Sequence, residues 1–163
     1  MRSMLLFLLF FVCSVPSAQS KTTIQNFDRE AYYNALASGK MDKVNAELEL
    51  LSTSATPEKE AYEGTLLMRK AGLEKVPAVK LKYFKKGRIK LETAIQNDSD
   101  NAEYHFLRLI IQENAPSIVK YNSQIKTDTQ IVKTAYKNLP HSVQQAIMDY
   151  SKKSKTLHPE DLN

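Results

Sequence analysis

One stretch decides the fold class of this chain: Ala94-Ile-Gln-Asn-Asp-Ser-Asp-Asn-Ala-Glu-Tyr-His-Phe-Leu-Arg-Leu109. Apolar residues recur at helical spacing on both sides of a polar segment, residues 97–101. Asp100 and Glu103 have the spacing of a capping box, which predicts that a helix begins at Asn101. The stretch is therefore predicted to contain the end of one amphipathic helix, a short turn and the start of another.

Helical spacing continues outward from this stretch in both directions. The chain has only 4 glycines and no alternating β-branched run. Gly39 and Gly72 follow two of the apolar patterns, where glycine commonly ends a helix. We predict an all-α domain of about seven helices in stacked antiparallel hairpins, since most of the turns are short. The predicted helices cover about residues 28–38, 41–51, 57–71, 77–97, 101–113, 127–139 and 142–150.

The junction around Ala94 resembles that of the tetratricopeptide repeat family. Ala94 and Ile95, the polar turn and the following Ala-Glu pair are similar to that family's pattern. Gly87 and Leu91 stand where the family has a small residue and a bulky apolar one. The resemblance implies a close helix crossing at Gly87 and a scaffold that binds other molecules.

Three residues depart from the family pattern, and no period of about 34 residues emerges. Ser99 replaces the turn proline, Arg108 stands at an apolar position, and Pro77 interrupts the preceding helix. We therefore predict one repeat-like corner within a single compact domain. The block of residues 61–114 also resembles small exported bacterial proteins, in keeping with the N-terminal sequence.

Residues 1–20 have the features of a secretory signal peptide. Their apolar core is shorter than the roughly 20 residues that a membrane-spanning helix needs, and small residues suited to cleavage follow it. We predict an exported protein, periplasmic or secreted, that is cleaved near Ala18 to Ser20. Acylation at Cys13 and an uncleaved anchor are the alternatives. Beyond the signal peptide we predict a flexible linker over 21–27, the helical domain over 28–154 and a flexible tail over 155–163.

Composition excludes several function classes. Cys13 is the only cysteine, so the mature chain has no disulfide and no thiolate nucleophile. The net charge of +5 is too small to indicate nucleic-acid binding. We predict no cofactor, and a monomer that meets a protein or peptide partner.

Two sets of residues are candidates for binding. Asn101, His105, Arg108 and Gln112 form one narrow stripe on a predicted helix, where Arg108 has the forked geometry for a carboxylate or a peptide. The alternative is that this stripe faces water or pairs with a glutamate of a neighbouring helix. The second set lies on one face of another predicted helix and suits an anionic envelope surface, or it is an ordinary solvated face. Its members are Lys82, Lys86 and Lys90.

No catalytic or metal-binding motif is present in the sequence. Residues 97–101 lack the glycine and closing glutamate of a calcium loop, and the histidines have no zinc-site spacing. Two Ser-x-x-Lys matches lack the partner motifs of the hydrolases that use them. The sequence thus predicts a non-enzymatic scaffold or protein-binding module of the cell envelope. An electrostatic binder of an anionic surface or polymer is the alternative, and an envelope hydrolase is a third.

Overall fold

The computed structural model describes residues 27–162. Within this range the chain forms seven α-helices in one domain without strands, which confirms the predicted all-α fold class. The helices are α1 (Arg29–Ala37), α2 (Met41–Thr53), α3 (Lys59–Leu73), α4 (Pro77–Asn97), α5 (Ala102–Asn114), α6 (Ile125–Ala135) and α7 (His141–Ser151). Short 3-10 turns occur at Ser117–Val119, Tyr136–Asn138 and Pro159–Leu162.

The predicted signal peptide and most of the predicted linker lie outside the described residues. Phe27, the last residue assigned to the linker, stacks on Tyr62 with a centroid distance of 4.6 Å. Across residues 27–162, no helix combines the length and the apolar character that crossing a bilayer requires.

Local signals explain several of the helix ends. The Asp28 carboxylate accepts hydrogen bonds from two backbone amides at the start of α1, and Pro77 is the first residue of α4. Gly39 follows the end of α1 with a φ of 65°, a left-handed conformation that favours glycine. Gly72 does not end α3, because the helix continues to Leu73.

Helices α3 and α4 form a tightly packed antiparallel hairpin. Lys90 pairs with Glu60 and Glu63 near the start of α3, while Lys70 near its end lies over the Tyr83 ring. A Cβ atom added to Gly87 would lie 2.4 Å from the Gly64 carbonyl oxygen, closer than packing allows. The close crossing predicted at Gly87 is therefore confirmed, whereas repeat-like stacking beyond this hairpin remains a prediction.

Helix α5 is at the centre of the domain. It contacts α3, α4, α6 and α7, and every residue from 102 to 109 is buried. Phe106, Leu107 and Leu109 have no solvent exposure, so they fill the core between these helices. The polar residues of α5 are enclosed with them.

The two ends of the domain meet. Helix α1 contacts α7, and the segment after α7 packs on the domain as well. The prediction of a flexible tail over 155–163 is wrong for residues 155–162, since Leu157 and Leu162 are buried. Glu113 also accepts hydrogen bonds from the Ser154 and Thr156 hydroxyls, at 2.8 and 2.7 Å. Glu113 can accept these hydrogen bonds only when the segment after α7 packs against the domain.

Candidate functional site

The polar stripe of α5 is inside the protein. His105, Arg108 and Gln112 are 5%, 7% and 3% exposed, so the interpretation of this stripe as an open binding surface is wrong. Arg108 instead makes a forked ion pair with the fully buried Asp128 of α6. Arg108 Nε and Nη2 donate to the two carboxylate oxygens at 2.8 and 2.7 Å. Arg108 thus pairs with an acidic residue of a neighbouring helix, which corresponds to the alternative stated for this stripe.

His105 joins the same cluster through both ring nitrogens. Its Nδ1 lies 2.7 Å from Asp128 Oδ1, and its Nε2 lies 2.8 Å from the Ser99 carbonyl oxygen. Both neighbouring atoms are acceptors, so the doubly protonated ring satisfies both of them. Burial by itself would lower the pKa of His105, but its hydrogen bonds to Asp128 and Ser99 raise the pKa above its usual value.

Glu92 connects this cluster to α4. Arg108 Nη1 donates to Glu92 at 2.9 Å, and the Tyr121 hydroxyl donates to the other Glu92 oxygen at 2.5 Å. The Tyr121 ring packs against Phe84, edge to face. These groups therefore link α4, α5 and α6, and we assign His105 and Arg108 a structural role.

A second buried carboxylate, Glu103, lies on the opposite side of α5. It accepts hydrogen bonds from the Tyr33 and Tyr62 hydroxyls at 2.8 and 2.7 Å. Burial raises the pKa of Glu103 more than these bonds lower it. The capping box predicted from Asp100 and Glu103 is thus wrong, because Glu103 faces the core and Asn101 caps α5 with its own side chain.

Gln112 is the stripe residue without a protein partner. Its Oε1 atom is buried and makes no hydrogen bond within the described part of the chain. The side chain borders a pocket of about 200 Å³ between the end of α5 and the start of α6. This volume suits water rather than an organic ligand, since ligand pockets usually exceed roughly 300 Å³.

A groove lies between α1 and α7, with α5 as its floor. Its volume is about 540 Å³, within the range of pockets that bind organic ligands. The floor is formed by Ile110, which lies above the fully buried Phe106, and the aromatic rings of Tyr33 and Tyr150 line the two sides. The walls carry polar residues from both helices: Glu30, Asn34, His141, Ser142, Gln145 and Asp149.

Arg69 of α3 reaches the end of this groove near the C-terminus of α1. A Cβ atom on Gly39 would lie 3.3 Å from Arg69 Nη2, which places the guanidinium beside the last turn of α1. Arg69 Nε is buried and has no hydrogen-bond partner among residues 27–162, and no ion pair within that range includes Arg69. Lys153 and Lys155, which also border the groove, are engaged with the Tyr150 ring and the Glu113 carbonyl oxygen.

No sequence pattern predicted this groove. Its three helices are far apart along the chain, and the surface residues of α1 and α7 have the composition of ordinary solvated faces. No contiguous motif marks the groove, because its residues recur at helical spacing on separate helices.

The three predicted lysines separate into two kinds. Lys82 and Lys86 are exposed and form no ion pair with any described residue. Lys90 lies 2.8 Å from Glu60 and 3.0 Å from Glu63, so it holds α4 to α3. Of the three predicted lysines, only Lys82 and Lys86 are therefore exposed without an ion pair to a described residue.

Among residues 27–162, no group of three or more His, Cys, Asp or Glu residues is arranged to hold a metal ion. Within the turn before α5, Asn101 Nδ2 donates to Asp98 at 3.0 Å.

Comparison of the chain with protein-family models, with curated proteins and with solved structures finds no match.

Proposed function

We propose that this protein is an exported helical binding module that holds a short segment of a partner protein in the α1/α5/α7 groove. The main observation behind this proposal is a groove with apolar lining residues and with Arg69, a lining cation that forms no ion pair among the described residues. Recognition sites of this kind are largely apolar, with a few polar groups that fix the orientation of the ligand.

The length of the groove suits a peptide. Along α7 its wall extends from His141 to Tyr150, nine residues apart, which corresponds to about 14 Å of helix. An extended chain covers that distance with about four residues, since each residue adds roughly 3.3 Å. Gln145 and Asp149 stand on the rim, where they can meet the polar groups of a peptide backbone.

The chemistry of the groove indicates what the segment contains. An acidic side chain or a C-terminal carboxylate would meet the Arg69 guanidinium, which lines the groove and forms no ion pair among the described residues. An aliphatic or aromatic side chain would pack on Ile110 and Ala146, which are partly exposed apolar residues of the lining. We therefore propose a partner segment with one acidic group and one large apolar side chain.

The arrangement of the carboxylates supports binding rather than hydrolysis. Glu113 borders the groove but accepts hydrogen bonds from Tyr150, Ser154 and Thr156. Burial would raise the pKa of Glu113, but these hydrogen bonds lower it below its usual value. A carboxylate held in this way is a poor proton donor near neutral pH. The signal-peptide pattern of residues 1–20 supports placing this module in the cell envelope.

Site-specific photo-crosslinking tests the proposal. A photoreactive residue at Gln145, on the groove rim, is expected to form an adduct with a defined partner in the native envelope. The same residue at Gln96, on α4, serves as the matched control. The adduct at position 145 should disappear with Ala146→Arg, which fills the groove, and weaken about tenfold or more with Arg69→Gln. An adduct that persists in both variants would show that the partner does not occupy the groove.

A further inference from the structure

Helix α4 and the residues just before it are strongly basic. Every charged residue between Glu74 and Glu92 is positive: Lys75, Lys80, Lys82, Lys85, Lys86, Arg88 and Lys90. Two of these have partners, since Lys90 pairs with α3 and Arg88 lies 4.8 Å from the centroid of the Tyr121 ring. The five other lysines form no ion pair with any residue in the described range.

Two large aliphatic side chains of α4 are exposed as well. Ile89 is 67% exposed and Leu81 is 47% exposed, although the opposite side of α4 packs fully on α3. At 100° per residue, Ile89 lies in the middle of the outward face, with Lys82, Lys85 and Lys86 around it. An exposed aliphatic group surrounded by lysines is typical of helices that lie in a membrane interface.

We propose that this face, Leu81 to Ile89 of α4, docks the protein on the surface of an anionic lipid bilayer. The helix axis would lie parallel to the membrane, with the lysine ammonium groups near lipid phosphates. Ile89 and Leu81 would enter the boundary between the headgroups and the acyl chains. Because α3 covers the other side of α4, docking needs no rearrangement of the fold.

The exposed aliphatic residues favour a bilayer over a soluble polyanion. A polysaccharide or nucleic acid would use the lysines, but it would leave Ile89 and Leu81 in water. Transfer of aliphatic surface from water to an acyl environment is favourable, so a bilayer uses both parts of this face. The groove lies on other helices, and this proposal stands independently of the proposed function.

Vesicle sedimentation tests this docking surface directly. The full mature chain is mixed with phosphatidylcholine vesicles that contain or lack phosphatidylglycerol, at low and at high salt. We expect binding only to the anionic vesicles, and weaker binding at high salt because the lysine charges are screened. The triple variant Lys82→Gln/Lys85→Gln/Lys86→Gln should lower the partition coefficient roughly 100-fold, since each lysine near the surface contributes about fivefold.

Two further variants separate the alternatives. The triple variant Lys43→Gln/Lys126→Gln/Lys137→Gln removes the same charge from exposed positions of α2, α6 and the turn after α6, and should bind nearly as the parent does. The variant Leu81→Ser/Ile89→Ser should lose tenfold or more in vesicle binding yet keep any binding to heparin. Circular dichroism checks that each variant is folded.

Three results would overturn the proposal. The first is absence of binding to anionic vesicles at low salt. The second is an equal loss in the two lysine variants, which would indicate general charge attraction. The third is unchanged vesicle binding by Leu81→Ser/Ile89→Ser, which would identify this face as a site for a polyanion.

Discussion

Asp128→Asn is the substitution that most directly tests the buried charge cluster. Asp128 has no solvent exposure and is the acceptor for both Arg108 and His105. The amide keeps the size of the side chain but removes its charge and one acceptor oxygen. Arg108 then retains Glu92 as its carboxylate partner, and His105 no longer has a carboxylate beside Nδ1.

The expected cost is large. Removing one partner of a buried ion pair costs about 3–5 kcal/mol, and we expect the lower end because Glu92 still pairs with Arg108. For a domain of this size, about 3–5 °C of melting temperature is lost per kcal/mol, so Tm should fall by roughly 10–15 °C. Urea denaturation measures the loss in the free energy of unfolding. Asp149→Asn, at an exposed residue of α7, is the matched control and should have no measurable effect.

The substitution should also change the pH dependence of stability. The folded-state pKa of His105 is raised, so its contribution is fully present below its unfolded value near 6.5 and is lost as pH rises through the folded pKa. The parent protein should therefore become less stable as pH rises above about 6.5, and Asp128→Asn should reduce this slope. A loss below about 1 kcal/mol, or a slope equal to that of the parent, would refute the assignment of a structural charge cluster.

Four other substitutions test the packing and the buried hydrogen bonds. Gly87→Val should destabilise the domain by about 1–3 kcal/mol or more, because a Cβ atom at this position has no space beside Gly64. Gly72→Ala should stabilise the domain by about 0.5–1 kcal/mol, since nothing lies within 4 Å of the added atom. Thermal denaturation of the two variants measures both effects. Leu157→Ala should cost about 2–5 kcal/mol and make the C-terminal segment sensitive to limited proteolysis, and resistance equal to the parent would contradict its docking. The pKa of Glu113 is lowered in the fold, so its contribution is present above about pH 4.5 and lost below; Glu113→Gln should flatten the acid limb of a stability–pH curve.

Local sequence signals predicted the helix ends, because a helix end depends on residues that are neighbours in the chain. Pro77 and the polar turn gave the bounds of α4, and Gly39 gave the end of α1. The spacing of His105 and Arg108 correctly placed both side chains on one stripe of a helix. Which groups the stripe contacts depends on how α6 packs against α5, and the spacing of residues along one helix does not predict that packing.

The sequence analysis did not identify Asp128 as the buried partner of His105 and Arg108. Thr127-Asp-Thr-Gln130 has the pattern of a capping box, so Asp128 was expected beside a helix start. The helix begins earlier, at Ile125, and Asp128 lies within its first turn, where it faces α5. A shift of two residues in a helix start thus changes which side chain enters the core, and only tertiary packing determines that shift.

The C-terminal segment was missed for a related reason. Its composition is polar and rich in lysine, which is typical of frayed ends. Ser154, Lys155 and Thr156 instead provide the donors that the buried Glu113 needs. The sequence around Glu113 gives no indication that its carboxylate is enclosed, so neither half of this contact was predictable by itself.

The contact between α1 and α7 has a consequence for the order of folding. One wall of the groove comes from the first helix of the domain and the other from the last, so this surface requires contacts of very long sequence separation. The hairpin of α3 and α4 can form from neighbouring segments, but the groove forms only once α7 is available to close the domain. A chain truncated before His141 would keep local helical structure and lack the groove. The presence of an intact groove therefore reports that synthesis and folding of the whole domain are complete.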